Sequence, residues 1–337
     1  MHANIVSTGS YVPEIKVTND DLRARFDAVA PDFVNKMEAS TGILTRWWAP
    51  DDVVTSDLAV NAGRIALDRA GKTADDIDLI IVGTDSPDYI TPATSVIVQA
   101  KLGAKNAGTF DVGCACASFP TAFSSAAGMM ATSPHLKTVL VIGVYLMHKL
   151  TSPDDPMIFF YGDGAGAAVL EQRQERGFVS SAFRADGSYA SRWAIHAGGT
   201  VEPATEESIR AGRTRVKMYD RYPPEINNEG WPLIVRQVAK NGGFAISDID
   251  FTIFTQVRKP TIELVMKDLD LPMSKTHMIM ETVGYTGSAC IPMALDDAMQ
   301  QRKIKPGDLV VMVGSGVGYN QAAAAFRVAE DGARLFG

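Results

Sequence analysis

Histidine and cysteine are both scarce in this chain of 337 residues, at five and three positions. His2, His135, His148, His196 and His277 lack metal-ligand spacing, and Cys114-x-Cys116 has no partner cluster downstream, so a structural zinc site is not expected. Cys114, Cys116 and Cys290 cannot all pair, which argues for reduced thiols and against a disulfide scaffold. No block of Lys and Arg stands out, and 32 basic against 39 acidic residues leave a net charge of −7, which argues against general nucleic-acid binding. Apolar runs of eighteen residues are absent, and Met1-His2-Ala3-Asn4 lacks the basic and apolar regions of a signal peptide. The expectation is a cytoplasmic protein with no membrane span and no nucleic-acid partner.

What the chain does have is hydrophobic content, 46%, enough for one large domain or two similar ones around a substantial core. Asp76-Ile77-Asp78 before Leu79 to Thr84 is echoed by Asp248-Ile249-Asp250 before Phe251 to Thr255. Each follows a segment of helical periodicity, Ser56 to Ala70 and Trp231 to Asn241, so a duplicated helix–strand unit is plausible. Further buried strands are expected at Thr138 to Gly143, Gly166 to Leu170 and Leu309 to Val313. They alternate with helices at Pro92 to Leu102, Phe119 to Ala131, Thr261 to Leu269 and Ile291 to Gln301. Such alternation implies an α/β architecture. Gly187 to Pro224, rich in Gly, Arg and Pro, is long for a connection and is expected to cover a site or an interface.

The best clue to chemistry is Phe110-Asp111-Val112-Gly113-Cys114-Ala115-Cys116-Ala117-Ser118-Phe119, a cysteine at a turn directly before an apolar helix. A helix N-terminus presents unpaired N–H groups and a positive dipole end, so Cys116 is expected to ionise more readily than a free thiol and to act as a nucleophile. Cys114, still in the strand or turn, reads as an apolar filler. The glycine clusters at Gly162 to Gly166 and Gly314 to Gly318 are not phosphate cradles. They fit tight turns with close backbone packing, or, near Ser315, an oxyanion hole. His196 and His148 are the histidines in loop settings suited to acid–base work, although neither has a visible partner, and Trp47 and Trp48 read as packing.

Several motifs then fall in the order found in one family. Thr8-Gly9-Ser10-Tyr11-Val12-Pro13, Thr41-Gly42-Ile43, the Cys116 segment, Tyr161-Gly162-Asp163-Gly164 and Gly284-Tyr285-Thr286-Gly287-Ser288-Ala289 followed by Pro292 resemble β-ketoacyl-ACP synthase III, of the thiolase-like condensing superfamily. The resemblance implies a thiolase-like five-layered αβαβα fold from two similar halves, here 1–172 with the nucleophile and 173–337. It also implies a homodimer, an acyl carrier protein as partner and no cofactor beyond the thioester substrate. In the family a cysteine takes the acyl group, matched by Cys116, with Cys116 and Ser315 matching the oxyanion hole. A family histidine and asparagine promote decarboxylation of a malonyl extender. Their positions here are Thr255 and Tyr285.

The departures shape the expectation. Neither a Thr nor a Tyr hydroxyl is a competent base near neutrality, although both can donate hydrogen bonds. The tryptophan and arginine with which relatives clamp the adenine of CoA are matched by Lys36 and Asp155, which favours a carrier-bound donor. Arg258 and Lys259 are the candidate contacts for the carrier's acidic surface, with Lys36 a further contact for carrier or pantetheine. The resemblance therefore implies acyl transfer through an acyl-Cys116 intermediate, in polyketide or other secondary-metabolite biosynthesis. The alternatives are a decarboxylative synthase using Thr255 and Tyr285, and a catalytically silent partner of an active enzyme.

Overall fold

Two mixed sheets form the frame of the computed structural model, which describes residues 1–28 and 30–329. The first has five strands in the order His2–Tyr11, Gly164–Arg173, Thr138–Tyr145, Leu79–Gly83, Gly108–Val112. The second has four, in the order Phe251–Phe254, Leu309–Gly316, Asn320–Arg327, Phe178–Ala185. Every residue of Thr138–Tyr145 is buried, because helices cover both faces of its sheet and remove the polar alternation of a one-sided strand.

Helices Ser118–Thr132 and Cys290–Gln300 lie between the sheets and touch both. Phe119, Phe123, Cys290 and Leu295 share one core there with the inner faces of the two sheets. Outside the first sheet, helix Thr55–Ala70 buries Leu58, Ala62, Ala66 and Leu67 at helical spacing against Ile80, Val82 and Leu140. Outside the second, Gly230–Gly242 and Lys259–Asp268 bury Trp231, Ile234, Val235, Ile262 and Val265. The sequence of layers is helix, sheet, helix, sheet, helix, the thiolase-like α/β fold. Sheet-to-helix approach is close in the middle: a Cβ at Gly143 would meet the Ser288 carbonyl at 2.4 Å, and one at Gly166 the Met293 nitrogen at 2.6 Å.

The two Asp-Ile-Asp segments perform the same task twice. Asp76 and Asp248 each accept the N–H three residues back, from Thr73 at 2.8 Å and Ala245 at 2.9 Å, closing a 3-10 turn. Asp78 accepts the N–H of Thr138 at 2.9 Å and Asp250 that of Leu309 at 2.8 Å, each pinning the start of the neighbouring parallel strand. The expected helices and strands are present with ends moved by a few residues: Pro92 begins no helix, which runs Thr94–Leu102, and the strand expected at Gly166 to Leu170 extends to Gly164–Arg173. No described helix is long and apolar enough to cross a membrane.

Candidate active site

Five side chains converge because the strands that carry them end on the same side. Asp85 follows Leu79–Gly83, Cys116 follows Gly108–Val112, Tyr145 ends Thr138–Tyr145, Thr255 follows Phe251–Phe254, and Ser315 lies near the end of Leu309–Gly316. All five, with Tyr285, line one cavity of about 520 Å³. Crevices beyond strand ends are the usual ligand sites of α/β sheets.

Cys116 sits in a 3-10 turn, Ala115–Ala117, that runs directly into helix Ser118–Thr132, with Ala115 at φ 46°. Strand Leu309–Gly316 presses on that turn, and a Cβ at Gly314 would meet the Cys116 carbonyl at 2.8 Å. The Cys116 sulfur and the Tyr285 hydroxyl are hydrogen-bonded to each other. Tyr285 is placed by its backbone: its N–H donates to the Phe160 carbonyl at 2.7 Å and its carbonyl accepts from Gly162 at 3.0 Å. Gly162 has no alternative, because a Cβ there would lie 2.0 Å from the Val283 carbonyl.

The surroundings of Cys116 oppose the easy ionisation expected of it. Burial pushes the thiol well above its ordinary range, and the negative field of Asp85 adds to the effect. The helix dipole is outweighed because the sulfur is enclosed, with only 3% of the residue exposed. Cys290 is also buried, pushed up to about 12, and accepts from the Gln256 N–H at 3.5 Å. Cys114 lies outside the cavity lining, its N–H donating to the Ser118 hydroxyl at 3.0 Å.

Thr255 lines the cavity beside Cys116, but its hydroxyl oxygen accepts the Ser315 N–H at 2.9 Å. This corrects the reading of Ser315 as a free oxyanion donor, since a backbone N–H already engaged by Thr255 is not open to a carbonyl oxygen. The Ser315 hydroxyl is also committed, accepting from Trp231 Nε1 at 2.8 Å and donating to Asn227 Oδ1 at 2.8 Å.

At the mouth, Phe33, Met37 and Ser40 line the cavity from one face of helix Phe33–Thr41. Lys36 is exposed and does not line the cavity itself, but it stands three positions after Phe33 and four before Ser40 and so borders the face that does. Asp155 caps the turn Pro156–Phe159 by accepting the Met157 N–H at 2.8 Å. Arg258 is exposed, lines the mouth and donates to the Ser40 carbonyl at 3.3 Å. Lys259 is exposed and lines a neighbouring groove with Glu38 and Glu281 instead.

Neither loop histidine reaches the cavity. His148 pairs with Asp163 and stacks on Trp48, with ring centroids 5.3 Å apart, while His196 packs on Tyr219. The segment from 187 to 224 does cover the site, contributing Trp193, Met218, Arg221, Tyr222 and Pro223 to the lining. Sequence reasoning missed Arg221, the tyrosine-rich wall of Tyr145, Tyr161, Tyr222 and Tyr319, and Asp85 as a site group. Asp85 is half-buried, its Oδ1 accepts from the Ser288 hydroxyl at 2.9 Å, and burial pushes its carboxyl up to about 6. It is the one carboxylate in the described lining, which contains no histidine. A group of His, Cys, Asp and Glu fit to hold a metal ion is absent among the described residues.

Known proteins resemble this chain over nearly its whole length. Residues 110–187 match the family model of 3-oxoacyl-[acyl-carrier-protein (ACP)] synthase III, and residues 239–328 match the model of its C-terminal part. A β-ketoacyl-[acyl-carrier-protein] synthase III of Xanthomonas oryzae pv. oryzae is 35% identical over 330 residues, covering 97% of this chain and 98% of the relative. The crystal structure of a β-ketoacyl-[acyl carrier protein] synthase III from Thermus thermophilus aligns with a TM-score of 0.87 at 29% identity, over 97% of this chain and 99% of that one. The priming β-ketosynthase of the R1128 polyketide biosynthetic pathway aligns with a TM-score of 0.84 at 26% identity, over 97% and 96%.

Proposed function

From the premise that this chain belongs to the 3-oxoacyl-[acyl-carrier-protein] synthase III family, and so is a condensing acyltransferase, we propose that it transfers an acyl group through an acyl-Cys116 intermediate without decarboxylating a malonyl extender. The observation that carries this is the composition of the cavity around Cys116: hydroxyl donors from Thr255 and Tyr285, and no histidine in the described lining.

Acylation begins with the Cys116 sulfur attacking a thioester carbonyl. Charge develops on the carbonyl oxygen, and with the Ser315 N–H engaged the available donors are the Thr255 and Tyr285 hydroxyls and the Cys116 N–H. Tyr285 bonds to the free thiol, and its O–H is released for the carbonyl once the sulfur is acylated. The acyl group then passes to an oxygen, a nitrogen or an already activated carbon. Decarboxylation is a poorer fit, because removing one preorganised oxyanion donor alone costs about 10²–10³ in rate.

A carrier-bound donor is part of this reading, since Lys36 and Asp155 offer no adenine clamp and Arg221 and Arg258 flank the mouth. So is a place in polyketide or related secondary metabolism, which the likeness to the R1128 priming synthase supports. A homodimer belongs to it as well. Tyr89 and Ile90 are 61% and 79% exposed on the segment after Asp85, a face suited to a second copy, and light scattering that reports a monomer at micromolar concentration removes that part.

The test mixes the protein with acyl- and malonyl-loaded carrier and follows intact mass and released carbon dioxide. The expected result is an acyl adduct that maps to Cys116, is absent in Cys116→Ala, and comes with no carbon dioxide above background. Restoring the family pair with Thr255→His and Tyr285→Asn should then raise carbon dioxide release by orders of magnitude. Strong wild-type release that Tyr285→Phe abolishes overturns the proposal in favour of a decarboxylative synthase.

A further inference from the structure

We propose that Asp85 is the proton acceptor for the acyl-transfer steps at Cys116. The inference rests on the acyl-transfer reading above and supplies the base which that reading lacks.

Elimination within the cavity carries it. Cys116 is a buried neutral thiol, so a proton must leave its sulfur as the bond to the thioester carbonyl forms. Thr255 and Tyr285 do not take it near neutrality, because a threonine hydroxyl does not ionise usefully and burial pushes the Tyr285 phenol well above its ordinary range. Tyr145, Tyr161, Tyr222 and Tyr319 are pushed up in the same way. Asp85 is the remaining acid–base group of the lining, apart from the exposed Arg221 and Arg258 at the mouth, which are permanent cations.

Asp85 is placed for the task. It reaches the cavity from the strand Leu79–Gly83, while its other oxygen contact, the Ser288 hydroxyl at 2.9 Å, comes from the 3-10 turn Gly287–Ala289 of the opposite half. The groups that share its electrostatic environment are Cys116, Cys290, Tyr145, Tyr161 and Tyr285, all neutral at pH 7. No ion pair holds Asp85 among the described residues. A half-buried carboxylate facing neutral hydroxyls and thiols, without a cation, takes up a proton more readily than a surface aspartate, and its value of about 6 suits a base working near neutrality.

The protons balance in both halves of the reaction. In acylation the Cys116 S–C bond forms while its proton passes to Asp85, the carrier's C–S bond breaks, and the departing pantetheine thiolate takes that proton. In transfer the acceptor's O–H or N–H proton passes to Asp85 as the new O–C or N–C bond forms. The acyl C–S bond breaks, and Asp85 gives that proton to the departing Cys116 thiolate, which restores the carboxylate and the thiol.

Asp85→Asn separates this role from simple proximity, because the two predict opposite signs. A neighbouring negative charge disfavours the thiolate, so its removal alone should speed reactions of Cys116. Loss of the base should slow them. Cys116 acylation by acetyl- and hexanoyl-N-acetylcysteamine thioesters, and alkylation by iodoacetamide, would be followed by intact mass over roughly pH 5 to 9. The wild-type rates should rise through an inflection at about pH 6, and Asp85→Asn should lower them about 10²-fold and abolish the inflection. Ser288→Ala, which keeps the carboxylate but loses its hydrogen bond, should move the inflection upward. Equal or faster reaction in Asp85→Asn, or an inflection that Ser288→Ala leaves in place, overturns the assignment. A wild type that takes neither thioester, yet alkylates with an inflection lost in Asp85→Asn, removes the acyl-transfer reading and supports Asp85 as the acceptor of the Cys116 proton.

Discussion

At Cys116 two effects of opposite sign meet: the N-terminus of helix Ser118–Thr132 favours a thiolate, and burial disfavours it. Burial prevails, which makes the neighbouring carboxylate the costly group in the folded state. Asp85 has its carboxyl pushed up to about 6 from 3.8, so the folded protein holds this proton more tightly than the unfolded chain. The stability associated with that proton is fully present at low pH and is lost as pH rises from about 4 through about 6. Asp85→Asn should therefore be more stable than wild type at pH 7.5, by up to about 3 kcal/mol, with the difference vanishing below about pH 4. Chemical denaturation of both proteins across that range checks it; an Asn variant less stable at pH 7.5 would show that the carboxylate is favourably solvated. Cys116 was readable in the sequence because a turn of small residues before an apolar helix is a local pattern. Asp85 was not, since an aspartate in Thr84-Asp85-Ser86-Pro87 looks like a solvated loop residue. Its partner Ser288 is 203 positions away and is brought to it only by the fold.

Elements in this chain are legible where one face or one period dominates, and opaque where burial is complete. The Asp-Ile-Asp repeat announced two equivalent strands, because each aspartate acts within a few residues or on the next strand. Asn320–Arg327 gave no strand signal: Ala322 to Ala325 have high helix propensity, yet they form a fully buried strand between Leu309–Gly316 and Phe178–Ala185. Alanine suits that place because helices press on both sides, with Ala324 in the core between the sheets and Ala323 and Ala325 in the outer one. The same closeness explains the glycines of Leu309–Gly316, which act by packing. A Cβ at Gly316 would lie 2.1 Å from the Cys114 carbonyl, so the turn carrying Cys116 would have to move. Gly316→Ala should cost about 1–3 kcal/mol and slow Cys116 acylation. Gly187→Ala, with open space around its Cβ, should do neither. Thermal unfolding and thioester acylation of the two variants measure this, and a Gly316→Ala protein with wild-type stability and rate would mean that the turn yields freely.

Across the whole molecule, the net charge of −7 makes the average field repulsive to an acidic carrier protein, so recognition has to come from a local cluster at the cavity mouth. The sequence suggested Arg258, Lys259 and Lys36 for that cluster, from their position relative to family motifs. The folded chain keeps Arg258 on the mouth, leaves Lys36 exposed beside it, places Lys259 in the next groove, and adds Arg221 from the long segment over the site. Linear position could not reveal this, because the adjacent Arg258 and Lys259 line different grooves and the covering segment has no periodicity to read. Arg221 and Arg258 are exposed, so each charge pair with a carrier is worth about 0.5–1 kcal/mol and is screened by salt. The double charge reversal Arg221→Glu with Arg258→Glu should then raise KM for an acyl-carrier donor roughly tenfold or more, with kcat little changed. Salt should raise the wild-type KM toward that of the variant, while acylation by a hexanoyl-N-acetylcysteamine thioester, which has no acidic surface, should be unaffected. Equal impairment with the small thioester would place the two arginines in shaping the cavity and would remove them from carrier recognition.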